Sequence, residues 1–197
     1  MMKHGKRGIM ALLFMTALAI LGTSVPASAA TGPDGFTILY ASQGNIAHQC
    51  NVIGQADGYQ AVVCADVLTG TGSTYYWIEG QVEAYCQTTS GVAVRCAQVD
   101  AAGRLSSGTG GDNPVGTWVC GHQYGQCSAG RNTIRTAAWY IYSASGCASS
   151  ASAAVWMVAW GGLTQIELPV SDEWVTLGSG NANDGSNESS GHVYVCA

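Results

Sequence analysis

Tyr75-Tyr-Trp-Ile-Glu-Gly-Gln-Val-Glu-Ala-Tyr-Cys86 alternates more strictly than any other part of the chain. Successive side chains of a β-strand point to opposite faces, so the stretch divides into two rows. Tyr76, Ile78, Gly80, Val82, Ala84 and Cys86 make an apolar row that needs a core. Tyr75, Trp77, Glu79, Gln81, Glu83 and Tyr85 make a row of rings, carboxylates and an amide that suits water or a ligand.

The same short-period pattern, cut by Gly, Asn and Asp clusters, recurs on both sides. Residues 36–41, 46–52 and 60–68 precede the stretch as candidate strands, and 117–121, 133–142, 153–160, 163–170, 174–177 and 192–196 follow it. Residues 92–99 read as the return arm of a hairpin that spans 75–99 and turns at 88–91. No window carries capped, 3.6-residue apolar periodicity. The Ala- and Ser-rich segment 143–154 could coil into a short helix, but Gly146 weakens it. The expected fold is therefore all-β, a disulfide-stabilised antiparallel β-sandwich or barrel of about 8–10 short strands. Glycine density makes 100–116 a loop or a boundary between two lobes, and makes 178–191 a second loop. Residues 60–67 and 92–99 share Ala, Val, Cys, Ala and Val in register, as a duplicated hairpin or chance in an Ala/Val-rich chain would produce.

The chain begins like an export signal. Lys3, Lys6 and Arg7 precede an apolar run over 9–21, and Ala27-Ser28-Ala29 supplies small residues for cleavage. The run is shorter than the ~20 residues that span a bilayer. Residues 1–29 thus read as a signal peptide and 30–197 as a single secreted, extracellular β domain with no membrane attachment after cleavage. Composition bears on partners too. The formal charge is −5, and every Lys lies in the leader. Only Arg95, Arg104, Arg131 and Arg135 then oppose twelve carboxylates, so no basic stripe exists to neutralise phosphates and nucleic acid is not an expected partner. Gly- and Ala-rich, Lys-free usage points to a bacterial secretome from a GC-rich genome.

Eight cysteines in an exported chain read as disulfides. Sequence leaves on the order of a hundred pairings open. Pairing of neighbours is favoured: Cys50 with Cys64, Cys86 with Cys96, Cys120 with Cys127, and Cys147 with Cys196. Metal ligation is not expected, because no C-x-x-C pair occurs and His48, His122 and His192 are dispersed. The polar run 181–188 lacks the spacing of a calcium loop, and no phosphate-cradling glycine motif or cofactor signature is present.

Catalytic signatures are equally sparse. Glu79 and Glu83 lie roughly 13 Å apart along a strand at ~3.3 Å per residue, beyond the ~5–9.5 Å that glycoside hydrolysis requires. A partner from another strand, such as Asp66, would be needed. No nucleophile elbow accompanies the serines, and His122, between Cys120 and Cys127, reads as part of a hairpin turn. Trp156 and Trp160 share a face and read as core.

There remains the outer row. Tyr and Trp combine ring faces with a polar handle, a pairing found where an apolar surface meets water. Tyr75, Trp77, Glu79, Gln81, Glu83 and Tyr85 are therefore the candidate ligand-binding residues of a non-catalytic, secreted binding module for carbohydrate or another cell-surface polymer. A protein-interaction component, either a secreted inhibitor with Arg104-Leu105 as bait or a subunit of an exported assembly, is the alternative. A hydrolase drawing carboxylates from separate strands is a third.

Overall fold

The computed structural model describes residues 30–31, 37–44, 46–108, 110–121, 125–141, 155–168, 173–178, 187–190 and 193–196. The leader, the 143–154 segment, His122, His192 and Cys147 lie outside these residues. In chain order the strands are β1 (Ala30–Thr31), β2 (Thr37–Tyr40), β3 (Ile46–Ala56), β4 (Tyr59–Thr71), β5 (Tyr76–Thr88), β6 (Ala93–Val94) and β7 (Gln98–Ser107). They continue with β8 (Asp112–Gly121), β9 (Asn132–Arg135), β10 (Trp139–Ile141), β11 (Val155–Glu167), β12 (Trp174–Gly178), β13 (Asn187–Ser189) and β14 (Val193–Cys196). One 3₁₀ turn, Ala41–Gln43, is the sole helical piece among the described residues.

Two sheets result. The first runs β1-β2-β14-β11-β7-β8, with β12 and β13 also on β11, and the second runs β10-β5-β4-β3, with β6 and β9 also on β5. Among the described residues all pairs are antiparallel except β14 with β2, which is parallel. β11 and β7 pack against β4 and β5, so the layers form a sandwich as expected. The core between them draws Val99, Ala101, Leu105, Met157, Ala159 and Ile166 from one sheet, and Val63, Ala65, Val67, Ile78, Val82 and Ala84 from the other. At Gly80 and Gly161 the layers approach closely: a Cβ at Gly80 would overlap Met157 Sδ, and one at Gly161 would overlap Ile53. Glycine on the inner row thus sets how tightly the sheets close.

Three of the expected disulfides are formed. Cys50–Cys64, Cys86–Cys96 and Cys120–Cys127 each link neighbouring segments. The fourth pairing, Cys147 with Cys196, falls outside the described residues.

Several expectations need correction. The Gly-rich segment 100–116 is not a loop: most of it lies in β7 and β8, which form a hairpin. Its small residues suit a strand flanked on both sides, because β7 is hydrogen-bonded to β8 and β11 at once and buries Val99, Ala101 and Leu105. Nor do residues 75–99 make one hairpin. After the turn at 88–91, β6 pairs with β5 only at Cys86 and Gln87, and the chain then crosses to the other sheet as β7. Residues 60–67 sit inside one continuous strand whereas 92–99 cross between sheets, so their sequence likeness does not correspond to equivalent structure. The two candidates at 153–160 and 163–170 merge into β11, whose register against β7 shifts between Gly161 and Thr164. The candidate at 133–142 instead splits into β9 and β10, and β13 occupies part of the expected loop 178–191.

Candidate functional site

β5 alternates as its sequence demands. Ile78, Val82, Ala84 and Cys86 are all buried toward the sandwich interior, with Tyr76 beside them. The opposite row is not open along its length: Tyr75, Trp77, Glu79 and Tyr85 are half-buried, while Gln81 and Glu83 are buried. Closure of its centre follows from position. β5 is an interior strand, with β4 on one side and β6, β9 and β10 along the other, so its middle residues meet side chains from both flanks.

Register aligns one polar residue from each of four strands. His48 on β3 faces Asp66 on β4, Asp66 faces Gln81 on β5, and Gln81 faces Arg135 on β9. Directly opposed residues share a face and touch. His48 Nδ1 lies 2.5 Å from Asp66 Oδ1. Gln81 Nε2 donates to Asp66 Oδ2 and to Glu83 Oε1, each at 3.0 Å, and Gln81 Oε1 accepts from Arg135 Nε at 2.8 Å. The amide thereby uses both donors and its acceptor. Arg131 Nη1 donates to Glu83 Oε2 at 2.5 Å, and Arg135 Nη1 reaches Glu79 Oε2 at 3.4 Å.

This arrangement explains how two carboxylates share a buried site. Asp66 and Glu83 carry oxygens within 4.8 Å of each other and of a His48 nitrogen. Like charges at that range repel unless compensated, and here the Gln81 amide sits between them while Arg131, Arg135 and His48 surround them. Three such donors could in principle meet a cation, but Arg131 already faces Glu83 and the Gln81 amide already bridges the two carboxylates. The set is internally balanced, and its chemistry is that of an ion-pair network.

The aromatic members of the row lie at its two ends. Trp77 opposes Gly70 on β4 and Tyr140 on β10. A Cβ at position 70 would overlap the Trp77 indole, so glycine is what allows that ring to lie down across β4. Tyr140, 52% exposed, flanks it, and Tyr75 meets Tyr140 edge-on at 5.3 Å. At the far end the Arg131 guanidinium covers the Tyr85 ring at 5.2 Å from its centroid. Eight residues at ~3.3 Å each separate Trp77 from Tyr85 by about 26 Å. The six residues taken from sequence as one surface therefore resolve into an aromatic end, a closed ionic centre and a second, Arg-covered ring.

Sequence reasoning names Asp66 only as a conceivable carboxylate partner and His48 only as one of three dispersed histidines. It missed Gly70, Arg131, Arg135 and Tyr140. A signal for one pair existed: if Cys50 and Cys64 are cross-strand partners, antiparallel register sets His48 opposite Asp66 two residues away. A separate cleft of about 280 Å³, lined by Arg95, Gln126, Glu167 and Trp174 among others, opens near the Cys120–Cys127 loop. Among the described residues no helix is long and apolar enough to cross a membrane. No protein-family description matches the chain, and neither a curated protein nor a solved structure does.

Proposed function

We propose that the protein is an exported, non-catalytic binding module that takes a carbohydrate or similar surface polymer on the aromatic end of the second sheet. One observation carries this reading: the Gly70–Trp77–Tyr140 row, in which a missing side chain seats an indole across the sheet beside an exposed tyrosine. Ring faces of this kind stack against the C–H faces of sugars, and polar groups alongside fix orientation. Glu79 and Arg135 supply those groups. Glu79 is two residues from Trp77 on the same face, and the Arg135 side chain is 56% exposed. Three disulfides agree with an oxidising, extracellular setting.

The hydrolase alternative draws less support. Asp66 and Glu83 come within reach of a shared substrate atom, yet Asp66 is 1% exposed and Gln81 Nε2 is bonded to both carboxylates. For the inhibitor alternative, Arg104-Leu105 is strand and not bait: Leu105 is in the core, and Arg104 lies 5.7 Å from the Trp160 ring centroid.

Titration of the mature protein with a panel of soluble polysaccharides, followed by calorimetry, tests the reading. Trp77→Ala and Tyr140→Ala should each weaken binding by about tenfold or more, the scale of losing one stacked ring. Trp174→Ala, in the separate cleft, should leave it unchanged. Binding that survives Trp77→Ala but disappears in Trp174→Ala would overturn the assignment.

A further inference from the structure

The three described disulfides differ in their surroundings. Cys86, Cys96, Cys120 and Cys127 are all buried. Cys50 is exposed, on β3 at the end of the second sheet, while its partner Cys64 is 0% exposed on β4. His48 Nε2 lies 3.1 Å from Cys50 Sγ, and the other nitrogen of the same ring lies 2.5 Å from buried Asp66. One imidazole thus bridges the buried carboxylate and the exposed sulfur, with Nδ1 toward Asp66 and Nε2 toward Cys50 Sγ. Asp66 is held in turn by Gln81, which fixes the imidazole's orientation from behind.

We infer that Cys50–Cys64 is an exchangeable disulfide whose reaction with dithiol reductants is promoted by His48, oriented by Asp66. The first thiolate of the reductant attacks Cys50 Sγ, the exposed sulfur. A bond forms between them, the Cys50–Cys64 bond breaks, and its electron pair leaves on Cys64 Sγ. The reductant's second thiolate then attacks the reductant sulfur of the mixed disulfide. The reductant departs as a disulfide, oxidised by two electrons, and Cys50 Sγ leaves as a thiolate beside His48 Nε2. The two protons lost by the reductant balance the two taken up by Cys50 and Cys64. An imidazole N–H donated to the Cys50 thiolate as it departs in this second displacement stabilises it, which carries the exchange forward instead of back to the Cys50–Cys64 bond. The outcome is release of the covalent link that ties β3 to the sheet.

Site-resolved reduction tests this on the folded mature protein. Dithiothreitol is added, aliquots are quenched with an alkylating agent, and labelled peptides are quantified. Cys50 and Cys64 should become labelled together, about tenfold or more ahead of the four buried cysteines. In His48→Gln that lead should shrink about tenfold, with reduction of Cys86–Cys96 unchanged as the internal control. Circular dichroism verifies that this partly exposed substitution leaves the fold intact. Asp66→Asn, should it fold, should slow the same step. Simultaneous labelling of all six cysteines, or a His48→Gln rate equal to that of the parent, would overturn the inference. Neither result bears on the aromatic end, where binding is measured separately.

Discussion

The two rows of β5 share a backbone but close in different ways. The inner row is shut by shape: Ile78, Val82, Ala84 and Cys86 lie in one core with Leu105 and Met157, and Gly80 makes room for Met157 where the layers meet. The outer row is shut by charge, through Gln81 and its bonds to Asp66, Glu83 and Arg135. Shape closure is non-directional and grows with apolar area removed from water. Charge closure is directional, and it fails sharply when one partner is removed. At Trp77 the outer row passes from ionic to ring contacts: the indole lies across Gly70 beside exposed Tyr140, which is where we propose that a ligand binds.

The largest test of this contrast is on the inner row. Ile78→Ala should cost about 2–5 kcal/mol, the range for truncating a fully buried aliphatic side chain, read from urea unfolding midpoints. A cost well under 1 kcal/mol would mean the inner row is not packed as described. Next comes the ionic centre. Asp66→Ala removes the acceptor for both His48 and Gln81 and should destabilise by about 1–3 kcal/mol in the same assay. A loss equal to that of Ile78→Ala would erase the distinction between the rows.

Comparable in stability but large in function is Gly70→Ala. The added methyl forces the Trp77 indole off β4. Polysaccharide affinity should fall as in Trp77→Ala, with stability lowered by about 1–3 kcal/mol, the usual cost of overpacking. Retained affinity would detach the aromatic platform from its glycine.

The smallest expected effect concerns Tyr76. Burial raises its phenol pKa above the usual tyrosine range by penalising the phenolate. A tyrosine in the unfolded chain ionises near pH ~10. Its contribution is therefore fully present below that pH and is lost as pH rises through the higher folded value. Stability of the parent should decline above pH ~10 more steeply than that of Tyr76→Phe, with matching slopes between pH 7 and 9. Identical alkaline slopes would show that Tyr76 does not sense burial.

Particular residues show where sequence reading succeeds. Alternation over 75–86 depends on a strand's two-residue period, which operates at short range, and the apolar row emerged on the core side as expected. The neighbouring cysteine pairs at 50/64, 86/96 and 120/127 were legible because short loops bring them together. Residues 100–116 show where it fails. Their glycines resemble a loop in isolation, and only simultaneous pairing with β8 and β11 makes them strand. The outer row fails for the same reason. Nothing within residues 75–86 reveals that Arg131 and Arg135 will arrive from β9 and its approach to donate to Glu83, Gln81 and Glu79.

Sequence alone therefore determined the class of the fold, the inward set of β5 and the local cysteine pairing, since each follows from side-chain period or short chain separation. Tertiary structure alone decided that the carboxylates of the outer row are occupied, that Trp77 lies over Gly70, and that His48 stands between Asp66 and an exposed disulfide sulfur. Those facts depend on the register between neighbouring strands, and register is set by the packing of whole sheets.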